Sequence, residues 1–379
     1  MDFTTACVHG SDASYDRTGA ISVPIFQTAT FAHPGAGRST GYDYSRLQNP
    51  TREHLEQTMA RLEGGTEAMA FSTGMAAITA LFMLFGPGSH IISSEDLYGG
   101  SRRLFDTLAK TYGIDFEYVS TSDLSAVEAA VTPATRAVFV ETPTNPMMHV
   151  TDIAAISGLA QDCGLLLAVD NTFLTPYFQR PLALGADVVV HSGTKFLAGH
   201  NDTLAGFLVT ADMELGERLR FIYKTTGACL SPFDSWLVTR GIKTLAVRLD
   251  RQQASAQRIA GWLLEQPKVR AVYYVGLPDH PDIEVSRRQT SGFGSMISFE
   301  VDSEETAARI LEGVRLIQFA ESLGGVESLI TYPVLQTHAD VPEGLRRRLG
   351  VNERLLRLSV GLEDVNDLVS DLYQAMEGA

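Results

Sequence analysis

Residues 165–206 read LLLAVDNTFLTPYFQRPLALGADVVVHSGTKFLAGHNDTLAG, and this stretch decides the fold. It contains two short apolar runs, 165–169 and 187–190, which are typical of buried parallel strands. Asp170 directly follows the first run, and Lys195 follows the second after a short polar turn. Because ligands of open α/β sheets bind outside the carboxyl ends of the strands, we expect both side chains to face one crevice.

The polar turn consists of Ser192, Gly193, Thr194 and Lys195. A lysine after a strand is usually a solvated loop residue, and an aspartate at a strand end is usually a helix cap. Here, however, the turn lies between an apolar strand and small residues, where a lysine is costly without a partner or a function. A lysine, an acid and hydroxyl groups are what pyridoxal phosphate enzymes place around their cofactor. The combination therefore predicts a pyridoxal phosphate site.

Strand-like and helix-like segments alternate along the first two thirds of the chain. Such alternation predicts an α/β fold with a mostly parallel sheet flanked by helices. The predicted strands of this part are 68–71, 90–93, 115–119, 137–140, 165–169 and 187–190, and the predicted helices are 51–63, one opening near 74, 101–112, 124–130, 154–161, 217–223, 232–240 and 243–264. Thr51 is the predicted N-cap of the first helix.

The rest of the chain has a different pattern. Predicted strands at 269–274 and 296–301 and helices at 304–311 and 365–376 indicate a smaller α+β domain. Residues 1–50 show little helical periodicity but several aromatic side chains, which favours a docked arm over a floppy terminus. We therefore predict an N-terminal arm at 1–50, a cofactor-binding domain at 51–245 and an α+β domain at 246–379.

Composition narrows the class of protein. The chain has 379 residues and a formal net charge of −15, which argues against nucleic acid or an anionic membrane as the main partner. No apolar stretch reaches the roughly 18 residues of a membrane span, and the N-terminus does not resemble a secretory signal. The cysteines Cys7, Cys163 and Cys229 are far apart and predict neither a disulfide nor a metal site. These features favour a cytoplasmic protein.

From about residue 21 to the C-terminus, the sequence resembles the Cys/Met-metabolism (trans-sulfuration) family of pyridoxal phosphate enzymes. Residues 165–206 carry the most specific part of the resemblance, and residues 42–51 (YDYSRLQNPT) and 72–77 (STGMAA) add to it. The resemblance implies a fold-type I transferase with a seven-stranded type of sheet. It also implies a homo-oligomer in which a dimer shares its active sites and dimers pair into a tetramer.

The resemblance also assigns the site. It implies that Lys195 holds the cofactor and acts as the base, that Asp170 faces the ring nitrogen and that Tyr98 stacks on the ring. The remaining cofactor-binding residues that it implies are Gly74, Met75, Ser192, Thr194 and Asn145, with Tyr44 and Arg46 reaching in from the neighbouring subunit. From the residues alone, a turn such as 72–78 often binds nothing, although a glycine at a helix N-terminus suits an anion.

The substrate-binding residues follow from the same resemblance. Arg357 is implied to bind the substrate α-carboxylate, Glu321 and Ser322 to border its side chain, and Arg103 to contact it. From the sequence alone, Arg357 could instead form a salt bridge at a sheet edge, and Glu321 could cap its own loop.

The resemblance implies a reaction at the γ-carbon of a homoserine-derived amino acid. We expect replacement of the acyl group of O-acylhomoserine by cysteine to give cystathionine, or by sulfide to give homocysteine. Cystathionine γ-lyase and β-lyase activities remain open. Gly100 stands where methionine γ-lyases carry a cysteine, which makes that activity a weaker alternative. A non-catalytic cofactor-binding protein is a further alternative, while a dehydrogenase is disfavoured because 292–294 lacks the spacing of a dinucleotide fingerprint.

Overall fold

The structure, a computed structural model, describes residues 1–11 and 18–378. Its strands are β1 (Glu67–Phe71), β2 (His90–Ser94), β3 (Asp115–Val119), β4 (Thr135–Glu141), β5 (Leu166–Asp170), β6 (Val188–Ser192), β7 (Gly206–Thr210), β8 (Val269–Tyr273), β9 (Met296–Val301), β10 (Gln318–Phe319), β11 (Leu329–Thr331) and β12 (Leu355–Ser359). Its helices are α1 (Phe3–His9), α2 (Pro50–Glu63), α3 (Gly74–Phe82), α4 (Gly99–Tyr112), α5 (Leu124–Ala129), α6 (Ile153–Cys163), α7 (Thr175–Phe178), α8 (Met213–Thr226), α9 (Pro232–Ile242), α10 (Leu245–Leu264), α11 (Ile283–Gln289), α12 (Glu304–Gly313), α13 (Glu343–Arg348) and α14 (Val365–Glu377), with a 3₁₀ turn at Pro181–Leu184.

The large sheet has seven strands in the order β1-β7-β6-β5-β4-β2-β3. Strands β2 to β6 are parallel, and β7 is antiparallel to both of its neighbours. This confirms the predicted mostly parallel α/β sheet. The sequence reading missed β7, because it follows β6 without a crossover helix and therefore returns antiparallel.

Helices cover both faces of the large sheet. Val188 and Val190 of β6 belong to an apolar cluster with α3, α4 and α8. Val189 belongs to a second cluster on the other face, with α2 and α9. This alternation along one strand, with both sides buried, explains why the strand reads as a continuous apolar run.

The second sheet has five strands in the order β10-β11-β12-β9-β8 and is mostly antiparallel. It packs through an apolar cluster against α10, α12 and α14. This confirms the smaller α+β part at the C-terminus. The predicted boundary between residues 245 and 246 lies at the start of α10, and the division into domains stays a prediction.

Several helix starts and one helix differ from the expectations; α8, for example, begins at Met213 and not at 217. The N-cap of α2 is Asn49, whose side chain accepts a hydrogen bond from the Thr51 amide at 3.0 Å, and Pro50 occupies the first helical position. Thr51 is therefore inside the helix and not its cap. The long helix α10 begins at Leu245 and not at 243. Helix α1, at only seven residues, is too short to show a period, and it lies within the segment predicted to lack helix.

The rest of the arm, residues 18–49, contains only isolated β-bridges between Thr30 and Tyr44 and between Gly35 and Arg38. Among the described residues, no helix combines the length and the apolar composition that a membrane crossing needs.

Candidate active site

A cavity of about 320 Å³ lies at the carboxyl edge of the large sheet, where residues of the second sheet and the loop before β11 close over it. Its lining includes most of the residues that the sequence singles out. The lining residues are Thr73, Gly74, Met75, Ile78, Tyr98, Glu141, Pro143, Asn145, Asp170, Thr172, Phe173, Val190, Ser192, Thr194, Lys195, Leu204, Glu321, Ser322, Leu323, Thr337 and Arg357.

Lys195 reaches the cavity from a tight turn after β6. The Lys195 amide donates to the Ser192 carbonyl at 3.2 Å, and a Cβ on Gly193 would overlap the ring of Phe207. The Lys195 Nζ donates to the Ser322 Oγ at 2.8 Å. Burial lowers the pKa of Lys195 to about 8, the nearby Arg357 charge adds to this effect, and the Glu321 carboxylate opposes it. A lysine in this environment supplies a neutral amine much nearer to neutral pH than an exposed lysine does.

Asp170 ends β5, the strand next to β6, and lines the same cavity. Its Oδ1 accepts hydrogen bonds from the Thr172 amide at 3.0 Å and from the Thr172 hydroxyl at 2.5 Å. Burial raises the pKa of Asp170, and the two bonds from Thr172 oppose this rise by favouring the carboxylate. The Thr172 hydroxyl also accepts from the Ser192 amide at 2.9 Å, so Thr172 ties the end of β5 to the end of β6.

The first turn of α3 forms another wall of the cavity. Thr73 caps the helix by accepting from the Ala76 amide at 3.0 Å, so the amides of Gly74 and Met75 stay outside the helical hydrogen bonds. A Cβ on Gly206 would overlap the Thr73 carbonyl, which shows how closely β7 approaches this turn. Free amides at a helix N-terminus favour an anion such as a phosphate group.

Two hydroxyl groups complete this wall. The Ser192 hydroxyl lies on the cavity side at the end of β6. The Thr194 hydroxyl donates to the Ala205 carbonyl at 3.2 Å and accepts from the Ala205 amide at 3.0 Å, which fixes the turn that carries Lys195.

Tyr98 lines the cavity from just before α4. Its amide donates to the Glu141 Oε2 at 3.0 Å, and the residue is 40% exposed. A Cβ on Gly100 would overlap the Tyr98 ring in its present position, so the ring packs directly against the backbone of residue 100. A Cβ on Gly99 would likewise overlap the Thr337 carbonyl.

Arg357 comes from β12 of the second sheet and is almost completely buried. One of its terminal nitrogens donates to the Asn145 Oδ1 at 2.8 Å, and the other donates to the Ser322 carbonyl at 3.1 Å. In the part of the chain that the structure describes, its Nε is buried without a hydrogen-bond partner. Burial lowers the pKa of Arg357 to about 10, so the guanidinium remains charged at neutral pH. A buried guanidinium with a donor to spare is suited to a carboxylate ligand.

The loop at 321–323 closes the cavity beside Lys195. Glu321 is exposed at the mouth, and its charge raises the pKa values of both Lys195 and Arg357. Ser322 adopts a φ of 90°, which is a strained conformation for a residue with a side chain. The strain coincides with the serine whose hydroxyl accepts from Lys195 and whose carbonyl accepts from Arg357.

The structure does not bring three predicted residues to this cavity. Arg46 donates to the Lys224 carbonyl at 2.6 Å and lies over the ring of Tyr44, which is 45% exposed. Arg103 pairs with Asp340 at 2.5 Å and lines a separate cavity of about 180 Å³. The roles of these residues stay predictions.

The sequence reading missed Glu141, which ends β4 beside Asp170 in the register of the sheet. The rule that singled out Asp170, an acid at the carboxyl end of a buried strand, could also have found Glu141. Burial and the neighbouring Asp170 raise the pKa of Glu141 well above its usual range. Thr172, Phe173 and Thr337 carry no comparable signal in the sequence, since only the folded loops bring them to the cavity.

The site has the donor set of a pyridoxal phosphate enzyme. A lysine with a lowered pKa, a buried acid and a helix N-terminus suited to phosphate share one cavity of about 320 Å³. Across residues 1–11 and 18–378, the structure has no group of three or more His, Cys, Asp or Glu side chains that could hold a metal ion.

Comparisons with known proteins identify the family of the chain. Residues 4–377 match the model of the family described as "Cys/Met metabolism PLP-dependent enzyme". The chain is 49% identical to the cystathionine gamma-synthase of Haemophilus influenzae, covering 98% of this chain and 96% of that protein. It is 47% identical to the cystathionine beta-lyase of Lactococcus lactis subsp. cremoris, covering 98% of both.

Among solved structures, the cystathionine gamma-lyase from Lactobacillus plantarum, complexed with L-serine, superposes with a TM-score of 0.96. It is 45% identical, and the match covers 100% of this chain and 99% of that chain. The relatives are enzymes, so the alternative of a non-catalytic binding protein is not supported. The chain belongs to the Cys/Met metabolism family of PLP-dependent enzymes, and its cofactor is pyridoxal 5'-phosphate.

Proposed function

We propose that this enzyme acts at the γ-carbon of homoserine-derived amino acids and that its main reaction is γ-replacement. Cysteine would displace the acyl group of O-acylhomoserine to give cystathionine, and sulfide in its place would give homocysteine. In this exchange a bond between the γ-carbon and oxygen breaks and a bond between the γ-carbon and sulfur forms. The acyl group leaves as a carboxylate, and the thiol gives up its proton. The observation that carries the proposal is the position of Glu321 at the mouth of the cavity beside Lys195.

The proposed cofactor site uses three regions of the cavity. Lys195 would hold the cofactor covalently, Asp170 would face its ring nitrogen, and Tyr98 would stack on its ring. The phosphate would lie at the start of α3, against the amides of Gly74 and Met75. Further groups proposed to contact the cofactor are Ser192, Thr194 and Asn145, with Tyr44 and Arg46 from a second subunit. When bound, pyridoxal phosphate supplies an electron sink next to the substrate α-carbon.

Lys195 is the proposed base. With its pKa lowered to about 8, its Nζ can accept a proton from the substrate α-carbon and return it elsewhere. The Ser322 hydroxyl, 2.8 Å from the Nζ, would orient the amine during this transfer.

Arg357 is proposed to bind the α-carboxylate of the substrate. Its bonds to Asn145 and the Ser322 carbonyl hold the guanidinium in place, while the buried Nε has no partner among the described residues. A carboxylate bound there would have its α-carbon oriented towards Lys195, because both side chains line the same cavity.

Glu321 is proposed to recognise the far end of the larger amino acid. Cysteine and cystathionine both carry an ammonium group beyond the sulfur, and a carboxylate at the mouth of the cavity can pair with it. This pairing favours a substrate or product with two amino acid ends. Arg103 lies outside the cavity in the single chain, and a substrate contact by Arg103 is a proposal from the family resemblance alone.

Cleavage of cystathionine is the second candidate function. It rests on the relatives, because a γ-synthase at 49% identity, a β-lyase at 47% and a γ-lyase at 45% match the chain about equally. The same cavity residues can serve synthesis or cleavage. Methionine γ-lyase activity is less favoured, because Gly100 stands at the position where, by the family resemblance, methionine γ-lyases carry a cysteine.

A product assay tests the proposal. The loaded enzyme is incubated in parallel with O-acetylhomoserine, O-succinylhomoserine, cystathionine or methionine, each with and without cysteine. The proposal expects cystathionine from an O-acylhomoserine plus cysteine, at a higher kcat/KM than any release of thiol from cystathionine. Thiol and oxoacid from cystathionine as the faster products would instead assign a lyase, with homocysteine indicating β-cleavage and cysteine indicating γ-cleavage.

We also propose that the enzyme works as a homodimer with shared active sites, and that dimers pair into a tetramer. Its cytoplasmic location is likewise a proposal, supported by the unpaired cysteines.

A further inference from the structure

A buried carboxylate and a buried imidazole lie in contact behind the active site. Glu63 is the last residue of α2, and His191 lies on β6, four positions before Lys195. The Glu63 Oε1 and the His191 Nε2 are 2.5 Å apart, and neither side chain has any exposed surface. Neither residue lines the cavity.

Glu63 also contacts the neighbouring strand end. The side-chain nitrogen Nδ2 of Asn171 donates to the Glu63 Oε1 at 3.3 Å and to the backbone carbonyl of Gln179 at 2.8 Å. Asn171 directly follows Asp170 at the end of β5, and His191 lies near the end of β6. The same oxygen atom of Glu63 therefore contacts the ends of both strands. Gln179 in turn donates to the Asn171 Oδ1 at 2.9 Å, which fixes the orientation of that amide.

The same two strand ends are joined on the cavity side by Thr172. Its hydroxyl donates to Asp170 and accepts from the Ser192 amide. The ends of β5 and β6 are therefore clamped twice, by Thr172 at the cavity and by Glu63 behind it. A shift of one strand relative to the other would change the distance between Asp170 and Lys195. Asp170 is the last residue of β5, and Lys195 follows the end of β6 by three positions.

Stability alone gives a poor account of this contact. Burying ionisable groups costs free energy, and an apolar pair of similar volume is often at least as stabilising. Within the described residues, the Glu63 Oε2 and the His191 Nδ1 are buried and make no hydrogen bond, so the contact is not even fully satisfied. A requirement for exact orientation of the strand ends would explain why polar groups are kept there.

We propose that Glu63 and His191 are positioning residues that hold the ends of β5 and β6 so that Asp170 and Lys195 keep the spacing that the cofactor requires. The proposal rests on the proposed cofactor roles of Asp170 and Lys195. It does not depend on which amino acid the enzyme converts.

The test compares Glu63→Ala with Glu63→Gln, whose amide oxygen can still accept from His191. The matched control is Asp371→Asn, which alters a buried carboxylate that accepts from the amides of residues 315–317, away from the cavity. For each variant, apo-enzyme is titrated with pyridoxal phosphate and the absorbance of the bound cofactor is followed well below the melting temperature. The melting temperature of the apo-enzyme is recorded separately.

We expect Glu63→Ala to weaken cofactor binding by at least about tenfold and to shift the absorbance band, with most of the affinity recovered in Glu63→Gln. Asp371→Asn should lower the melting temperature and leave cofactor affinity unchanged. Wild-type affinity and absorbance in Glu63→Ala would overturn the proposal, whatever its melting temperature. If Glu63→Ala does not fold, the shorter carboxylate of Glu63→Asp is measured with the same two outcomes.

The readout also separates this proposal from the proposed function. If the γ-replacement assay fails while the cofactor binds normally, the proposed substrate is wrong and the proposal for Glu63 and His191 is unaffected. If wild-type enzyme binds pyridoxal phosphate but Lys195→Ala binds it equally well, the assignment of Lys195 fails before Glu63 is considered.

Discussion

The protonation of Lys195 is set by the groups that surround it. Burial and the Arg357 charge lower its pKa to about 8, and Glu321 is the carboxylate that opposes them. An amine attacks an aldehyde in its neutral form, so capture of pyridoxal phosphate by apo-enzyme should accelerate as the pH rises through about 8.

The Glu321→Gln variant tests this balance. Removing a charge that raises the pKa of Lys195 lowers that pKa further, so the midpoint of the capture rate should move to lower pH. The measurement is stopped-flow absorbance of apo-enzyme mixed with pyridoxal phosphate across pH 6 to 10. Glu327→Gln is the control, since Glu327 lies in the same loop but bonds to Asn201 at 2.7 Å. An unchanged or higher midpoint in Glu321→Gln would show that Glu321 does not act on Lys195.

The role of Glu321 in substrate choice has a separate consequence. Cysteine presents an ammonium group to the mouth of the cavity during γ-replacement, whereas sulfide does not. An exposed ion pair contributes up to about 1 kcal/mol, so Glu321→Val should lower kcat/KM for cysteine up to about fivefold. With sulfide and the same O-acylhomoserine, kcat/KM should fall less, because any effect through the Lys195 pKa acts on both acceptors alike. An equal fall with both acceptors would show that Glu321 does not recognise the distal ammonium group.

At the scale of elements, the segment 332–342 closes over the start of α4. A Cβ on Gly99 would overlap the Thr337 carbonyl, so these two segments of the chain pack backbone to backbone. We expect Gly99→Ala to destabilise the protein by about 1–3 kcal/mol, because neither backbone can yield easily. Gly158→Ala is the control, since Gly158 lies in α6 with open space around it, and it should stabilise by up to about 1 kcal/mol. Thermal melts of both variants measure this, and equal melting temperatures would contradict the close packing.

The same segment carries a buried histidine. Burial, with the nearby Arg357 and Arg346 charges, lowers the pKa of His338 to about 4 from an ordinary value of 6.5, although backbone carbonyls oppose this. Between these values the unfolded chain binds a proton that the folded chain does not. Stability is therefore present in full above about pH 6.5 and is lost as the pH falls towards 4, by roughly 3 kcal/mol at most.

His338→Asn removes this titration. Between pH 7.5 and pH 4.5, the melting temperature of the variant should fall less than that of wild type, even if the variant is less stable at pH 7.5. Calorimetry at several pH values measures the slopes, with the exposed His33→Asn as the control. Parallel slopes in wild type and His338→Asn would mean that His338 is not a buried neutral histidine.

Elements with a strong periodic signal could be predicted from the sequence, and those whose existence depends on distant partners could not. Strands β5 and β6 read clearly because both faces are buried, which also located Asp170 and Lys195. Strand β7 is equally buried but reverses direction without a helix, so the alternation rule missed it. Glu141 followed the same rule as Asp170 and was still missed.

At the scale of the whole molecule, the active site joins two sheets that are far apart in sequence. Lys195 comes from the large sheet, and Arg357 comes from the small one, yet both line one cavity. Local sequence patterns identify each strand, but their meeting depends on how α10 and the loops at 321–323 and 332–342 pack. Only the family resemblance, and not periodicity or spacing, connected Arg357 to the site before the structure did.

The arm raises the question of whether one chain is sufficient for activity. Arg46 bonds to the Lys224 carbonyl and does not line the cavity of its own chain. An arginine suited to phosphate but outside its own site is consistent with delivery to a second subunit. If so, Lys195→Ala and Arg46→Ala should each be impaired alone but should complement each other in a hybrid dimer. In that hybrid, the chain with intact Lys195 receives Arg46 from its partner.

Subunits of the two variants are mixed under conditions of proven exchange, and the activity is measured over time. Random exchange makes about half of the dimers hybrids with one intact site each, so activity should approach about a quarter of wild type. The control is a mixture of Lys195→Ala with Arg357→Ala. Both of these residues line the cavity of one chain, so no hybrid site contains both, and activity should not recover. Recovery in neither mixture would mean that each chain builds its site without the arm of its neighbour, and recovery in both would mean that the exchange assay does not report on single sites.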